Sequence, residues 1–321
     1  MLKLKACLAL ELPHINAALR AAANRLPEPV RPLALHVFDA GGKRLRPFLV
    51  VLMARLLGYT GKDIYPLAVT LEMLHAATLI HDDVLDNADT RRGKPAVHTL
   101  YGPTMSILAG DAMLSTANEL VAEHGDLRLV TTFSESISRT AAGEIMEIAA
   151  MRTLDQKEQT YRDIVLGKTA WLIRASCVMG ALKAGATAEQ LQAAAVYGEN
   201  VGIAFQMVDD ALDVAPADII GKPSGGDIRE GKLTPPVRLY RESLSDAERV
   251  AFDAAFTAGT FTDADAARIG AAIRQRGFDR ITREMAGACL DTARNALHTL
   301  PDGTEKRHLL RMADYVQQRE K

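Results

Sequence analysis

Cysteine is scarce in this chain. The three present among 321 residues, Cys7, Cys177 and Cys289, are odd in number and widely spaced. That argues against a disulfide framework or a zinc site and fits a reducing cytoplasm, where they serve as small buried apolar side chains. Net charge is also nearly absent. Lys and Arg total 38 against 40 Asp and Glu, a balance of −2, which gives no bulk electrostatic case for nucleic acid. No apolar run is long and uninterrupted enough for a membrane span. Lys3, Lys5, Glu11 and Pro13 break up the apolar residues of the N-terminus, so a signal-peptide pattern is lacking. β-Branched alternating runs are rare, which disfavours sheets.

What remains is a chain rich in Ala and Leu, with 48% hydrophobic and 24% charged residues, a normal globular balance. Helical periods such as Leu67, Leu71 and Leu74, or Leu191, Ala194 and Ala195, fill most segments between Gly and Pro breaks. Breaks fall at Asn24–Pro32, Gly58–Pro66, Asn87–Pro103, Glu123–Asp126 and Pro301–Gly303. The longest, Pro216–Pro236, is of a length that is usually functional or disordered. These breaks predict an all-α protein of roughly ten or more helices. No linker separates independent halves. If the acidic clusters described next serve one site, residues 1–321 form a single domain.

Two aspartate clusters of the same form lie 127 positions apart: Asp82-Asp83-Val84-Leu85-Asp86 and Asp209-Asp210-Ala211-Leu212-Asp213. Residues four apart share a helix face. Asp82 therefore points with Asp86, and Asp209 with Asp213. Like charges at that spacing destabilise a helix modestly. If the two faces confront each other in a cavity, each pair at about 4 Å and an effective dielectric of 20 repels by roughly 4 kcal/mol. Such a site needs cations. Carboxylate oxygens suit hard ions, and Mg²⁺ completes its octahedron with water and phosphate oxygens. One acidic cluster alone reads most simply as solvated surface. Here apolar residues precede both, Leu74 to Ile80 and Ile203 to Val208, and a carboxylate emerging from a core helix is costly unless paired or metal-bound.

Basic residues answer the acidic ones. Gly41-Gly42-Lys43-Arg44-Leu45-Arg46-Pro47 sets three cations beside a glycine pair that lets the backbone approach a ligand closely. Arg91-Arg92-Gly93-Lys94 follows the first Asp cluster. Each would be ordinary surface charge on its own, but near a diphosphate each is a clamp. Lys168-Thr169 sits in an otherwise apolar stretch, where Lys is costly without a partner. Lys222 and Lys232 each follow a glycine in the long break. His75, on the helix leading to Asp82, reads alone as a satisfied core residue more readily than as a ligand contact.

Together, the ordered set GGKRLRP, HAATLIHDDVLD, RRGKPA, AGDA, GKTA, FQMVDDALD and GKPSGGDIREGKLTPP resembles the trans-isoprenyl diphosphate synthases, or polyprenyl synthetases, from about Gly41 to Pro236. Leu309–Lys321 is similar to that family's basic C-terminal tail. The resemblance implies a large all-α helical bundle around a deep central cavity, usually a homodimer. It implies that Asp82 and Asp86, with Asp209, ligate Mg²⁺ bridging an allylic diphosphate. Asp83, Asp210 and Asp213 complete the clusters as ligands or through water. Arg91, Lys168, Lys222 and Lys232 would hold the same diphosphate. Lys43, Arg46, His75 and Arg92 would hold isopentenyl diphosphate, and Thr169 and Gln206 would lie beside the reacting carbons. Glu147 departs from the Gln common in relatives, so no role is carried over to it.

The implied chemistry is ionisation of an allylic C–O bond and attack by the double bond of isopentenyl diphosphate. Fixed cations neutralise the leaving diphosphate, water must be excluded, and Pro216–Pro236 is a candidate lid. One turn before Asp82 stand the small residues Ala77 and Thr78, where short-chain relatives carry aromatics. This favours products longer than farnesyl. Alternatively Ala77 is small for helix packing, and Met113, Leu114, Met146 or Trp171 supplies the floor. Rival readings are a farnesyl or geranylgeranyl diphosphate synthase, a terpene cyclase, against which GGKRLRP and His75 argue, and a non-catalytic subunit, against which the intact Asp clusters argue. A cytoplasmic protein is expected, with peripheral membrane contact for product release.

Overall fold

The protein is described from a computed structural model covering residues 2–216 and 223–320; Lys222 lies outside the described residues. In chain order the helices are α1 (Leu2–Ala23), α2 (Arg31–Asp39), α3 (Leu45–Leu56), α4 (Ile64–Leu85), α5 (Val97–Tyr101), α6 (Pro103–Ala122), α7 (Leu127–Ala150), α8 (Glu158–Val165), α9 (Trp171–Lys183), α10 (Ala188–Asp213), α11 (Gly226–Glu230), α12 (Pro235–Glu242), α13 (Asp246–Ala258), α14 (Asp263–Gln275), α15 (Phe278–Ala296) and α16 (Thr304–Gln317). The predicted breaks fall at helix junctions, Asn24–Pro32 and Gly58–Pro66 running into the first turns of α2 and α4, and α1 carries Pro13 within it. The Asn87–Pro103 break holds a two-stranded hairpin, Thr90–Arg91 with Lys94–Pro95, and the five-residue α5.

The chain forms two compact units, each discontinuous in sequence. Unit 1 comprises residues 1–137, 175–195 and 299–309. Its centre is α4, packed against α1, α3 and α6. From Ile64 to Ala77 almost every side chain of α4 is buried, Leu67, Leu71 and Met73 completely. This explains why the helix tolerates apolar residues on all faces. Gly110 of α6 leaves room for the His81 ring of α4: a Cβ there would stand 2.2 Å from His81 Nε2.

Unit 2 comprises residues 138–174, 196–298 and 310–321. Its core gathers Val214, Ile228, Leu233, Val237, Tyr240, Phe252, Phe256, Ile269 and Ile273. This core anchors the chain that follows the second Asp cluster. Ile228 is on α11 and Leu233 lies just beyond it, so residues 223–236 are packed rather than free. Gly225 N–H donates to Asp213 O (2.8 Å), Lys232 N–H to Asp227 O (2.8 Å) and Arg152 N–H to Gly231 O (2.7 Å). In this conformation the second half of the candidate lid is anchored to the unit 2 core, while 217–222 lie outside the described residues.

By length and composition the helical run Glu158–Lys183 qualifies to cross a membrane, but 72% of its most apolar window is buried inside the protein. That is the property of a core helix. The run contains a π-turn, Leu166–Ala170, where Gly167 crosses Gly143 so closely that a Cβ would meet Gly143 Cα at 2.8 Å.

Candidate active site

In unit 1 the first Asp cluster lies at the C-terminus of α4. The helix stops in a Schellman turn: Ala88 N–H donates to Asp83 O (3.0 Å), and Asn87 takes φ 50°, a left-handed conformation that Asn tolerates. The chain then doubles back through the hairpin. Its turn residues Arg92 and Gly93 have φ 53° and 74°, the pair of positive angles a two-residue type I′ turn requires. Arg91 returns to Asp83, with Nε 2.8 Å from Oδ1. Asp83 is buried and committed to this ion pair, whereas Asp82 is half-buried and Asp86 exposed at the helix end.

The GGKRLRP loop meets the same hairpin. Arg92 Nη1 donates to Gly41 O, and its guanidinium lies against Gly42, whose φ of 149° favours glycine. Arg44, with φ 48°, turns inward to pair with buried Glu72 (2.8 Å) and to donate to Phe38 O. Arg46 keeps a buried Nε without a hydrogen-bond partner. Burial foremost, then Arg46, Arg92, Arg91 and Arg44, hold His75 well below the usual imidazole range. Burial first and Arg92 also push the Arg46 guanidinium down, while Glu72 pulls it up. Arg46, His75 and Arg92 thus converge, with Glu72 as the nearby carboxylate. Lys43 is exposed on the same loop. Two arginines in left-handed conformations mark a strained, over-determined corner of the kind found at binding sites.

In unit 2 the second cluster ends α10. Asp210 is buried, and both its oxygens are taken: Tyr161 Oη donates to Oδ2 (2.5 Å) and Gln206 Nε2 to Oδ1 (2.9 Å). The Thr169 hydroxyl donates to Gln206 Oε1 (2.7 Å). Burial raises Asp210 to about 7 despite those two donors, with Asp209 and Glu147 adding to the rise. Burial foremost, then Asp210, pushes the Tyr161 phenol well up, which keeps it a donor. Asp213 accepts from the Asp227 backbone N–H (2.9 Å). Asp209 pairs with Arg319 of the C-terminal tail (2.7 Å), whose guanidinium also lies 4.2 Å from the Phe205 ring centre. Asp227 Oδ2 is buried with no hydrogen-bond partner, and burial, then Asp213 and Asp210, raise that carboxyl strongly.

Lys168 and Lys232 meet at Glu147. Lys168 Nζ contacts Glu147 and lies 2.9 Å from Glu144; Lys232 Nζ lies 3.4 Å from Glu147 and 2.8 Å from Glu230. Both lysines are raised, against burial, by these glutamates and remain protonated. Glu147, Lys168, Thr169, Gln206, Asp210, Asp227 and Lys232 line one cavity of about 120 Å³, with Ile164, Val165 and Leu233 among its apolar lining. Sequence reasoning passed over Glu147, Tyr161, Asp227 and Arg319. Its departure from the family pattern flagged Glu147, but Tyr161 carried no signal. Ala77 is completely buried in the unit 1 core, and the Thr78 hydroxyl is bonded back to His75 O (2.9 Å). Of the suggested floor residues, Trp171 is stacked by Arg139 and Arg174 at 5.0 and 4.5 Å.

The basic cluster of unit 1 and the lysine–carboxylate cavity of unit 2 each carry the charge that a phosphate ester requires. Among the described residues, no group of three His, Cys, Asp or Glu is arranged to hold a metal ion by itself, so protein donors would share any cation with water or substrate oxygens. Comparison with known proteins decides what the combination is. Residues 27–273 match polyprenyl synthetase. The chain belongs to that family. Heptaprenyl diphosphate synthase component 2 of Geobacillus stearothermophilus is 37% identical over 97% of this chain and 96% of its own. A decaprenyl diphosphate synthase from Rhodobacter capsulatus superposes with TM-score 0.92 at 36% identity, covering 99% of this chain and 98% of the other. Polyprenyl synthase from Caulobacter crescentus CB15, solved with calcium and isoprenyl diphosphate, gives TM-score 0.91 at 33% identity over 99% and 98%. Proteins named geranylgeranyl diphosphate synthase match as well. This polyprenyl synthetase is a prenyltransferase of isoprenoid biosynthesis with the all-α isoprenoid synthase fold.

Proposed function

We propose that the enzyme condenses an allylic prenyl diphosphate with isopentenyl diphosphate in the presence of Mg²⁺ and releases a trans-polyprenyl diphosphate longer than farnesyl. The observation that carries this reading is the arginine cluster around His75 in unit 1. It holds a buried Arg46 Nε with no partner and a histidine held well below the usual imidazole range by burial first and then by the surrounding arginines. Such a cluster calls for an anion. A terpene cyclase, which binds one diphosphate, has no use for a second basic pocket besides the lysine cavity. A shorter farnesyl or geranylgeranyl product is the second reading, and the full burial of Ala77 gives it weight by making that residue's smallness a matter of packing.

The residues suit the work. Arg46, Arg92, His75 and Lys43 hold isopentenyl diphosphate. Lys168 and Lys232, with Arg91, hold the allylic diphosphate, their charges fixed by glutamates and so in place before ionisation begins. Asp82, Asp86 and Asp209 are the proposed Mg²⁺ ligands, and the orphaned Asp227 Oδ2 fits a nearby cation. Bound there, Mg²⁺ neutralises charge growing on the leaving diphosphate. Asp83 and Asp213 orient the clusters through Arg91 and the α11 backbone. The Thr169 and Gln206 oxygens stand where positive charge develops on the allylic carbons, and Ile164, Val165 and Leu233 keep water from quenching it.

A second copy of the chain is the proposed partner, supported by the exposed Leu100, Tyr101, Ile107 and Leu108 in unit 1. A cytoplasmic enzyme releasing an apolar product toward a membrane surface goes with this reading. The test is Asp82→Ala and Asp209→Ala. Each should abolish turnover while circular dichroism keeps the helical signal, and excess EDTA should do the same to the wild type. Wild-type rates in either variant would overturn the assignment.

A further inference from the structure

The cavity in unit 2 contains a buried tyrosine to which the reading above gives no task. We propose that Tyr161 is a positioning residue, which sets the orientation of Gln206 and Thr169 by holding the Asp210 carboxylate. The inference rests on the prenyltransfer reading of this cavity.

The contacts form a chain of three hydrogen bonds. Tyr161 lies on α8, and Thr169 lies in the π-turn that continues from it. Gln206 and Asp210 stand one turn apart on α10. Tyr161 Oη donates to Asp210 Oδ2, Gln206 Nε2 donates to Asp210 Oδ1, and Thr169 Oγ1 donates to Gln206 Oε1, at 2.5, 2.9 and 2.7 Å. Tyr161, Asp210 and Thr169 are all more than nine-tenths buried. Each link determines the next. With Oδ2 occupied, Asp210 offers Oδ1 to Gln206. A carboxylate accepts, so the amide must present its N–H₂ there and its oxygen to Thr169. The Thr169 proton is thereby spent on that oxygen, which leaves hydroxyl lone pairs for the cavity. The oxygens beside the reacting carbons are thus fixed before substrate arrives, the arrangement that makes electrostatic stabilisation effective. A π-turn in a long helix is a frequent mark of function, and here it rephases the helix so that residues on both sides of it reach α10. A merely structural Tyr would satisfy its hydroxyl on any backbone carbonyl; this one is committed to a motif aspartate.

The experiment is steady-state kinetics of Tyr161→Phe, which keeps the ring, with thermal unfolding as a control. The expected result is a loss of about ten- to a hundredfold in kcat, with KM for both diphosphates within about twofold of wild type, because no lysine or arginine contact is touched. Adding Tyr161→Phe to a Gln206→Ala enzyme should cost nothing further, since the tyrosine acts only through that amide. An unchanged kcat, a loss confined to KM, or a full additional loss in the Gln206→Ala background would overturn the proposal. Should Tyr161→Phe fail to fold, Tyr161→Met, which also removes the hydroxyl, carries the same cycle, and additivity with Gln206→Ala would overturn the proposal equally. A wild-type enzyme that does not consume isopentenyl diphosphate overturns the functional reading and this proposal with it. An active wild type with an indifferent Tyr161→Phe overturns this proposal alone.

Discussion

Glu72 is the counter-charge of the arginine cluster, and Glu72→Ala should expose how much that cluster depends on it. Arg44 and Glu72 are 6% and 4% exposed and 2.8 Å apart, so deleting the carboxylate leaves a guanidinium buried and unpaired. Breaking one side of a buried pair costs about 3–5 kcal/mol. At about 2–4 °C per kcal/mol for a compact unit of about 170 residues, Tm should fall by roughly 6–20 °C. The same deletion removes the one carboxylate that favours the charged forms of Arg46 and Arg92. Inorganic pyrophosphate should therefore stabilise the variant more than the wild type; saturation at a hundred times Kd contributes about 2.7 kcal/mol. Scanning calorimetry of both proteins, with and without pyrophosphate, reads both effects. In the Arg44→Ala background the Glu72→Ala loss should shrink. A Tm fall under about 2 °C, or equal protection of both proteins by pyrophosphate, would refute the reasoning.

Three further outcomes follow from the geometry. Asp210, raised from 3.8 to about 7 in the folded state, binds its proton more tightly folded than unfolded; its contribution is complete below about pH 4 and is lost as pH rises through 7. The stability of Asp210→Asn relative to wild type should accordingly improve between pH 5 and 8 in denaturant titrations, and a constant difference would contradict the assignment. Arg92→Ala should mainly raise KM for isopentenyl diphosphate and Lys232→Ala should mainly impair use of the allylic substrate, each by about 1.5–3 kcal/mol; identical substrate dependence in initial-rate assays would dissolve the distinction between the pockets. Ala77→Phe tests the chain-length reading: products shifting toward farnesyl or geranylgeranyl by chromatography would show the site lines the tail's path. Loss of stability by roughly 1–3 kcal/mol with unchanged products would assign Ala77 to packing.

The helical architecture was legible because apolar period and Gly/Pro punctuation coincide; Ala122, Leu127 and Thr304 bound helices beside predicted breaks. The hairpin at Thr90–Pro95 was not legible, since its strands are two residues each and carry no alternation. In the site, the GGKRLRP and RRGK motifs could be read as basic, but that Arg44 pairs with Glu72 and Arg91 with Asp83, while Arg46 and Arg92 lie beside His75, is a matter of tertiary direction. Lys168 in an apolar stretch asked for a partner, and that partner is Glu147, the residue to which family likeness gave no role. Tyr161 and Arg319 reach the second cluster from 49 and 110 positions away, a pairing no local pattern encodes.

The central claim is chain elongation, and sizing its products tests it most directly. The purified protein is incubated with Mg²⁺, labelled isopentenyl diphosphate and farnesyl diphosphate, and the dephosphorylated products are separated by reversed-phase chromatography. The account predicts a ladder extending in five-carbon steps beyond farnesol, abolished by EDTA. Failure to incorporate label into any prenyl chain, with metal present and the protein folded, would contradict it.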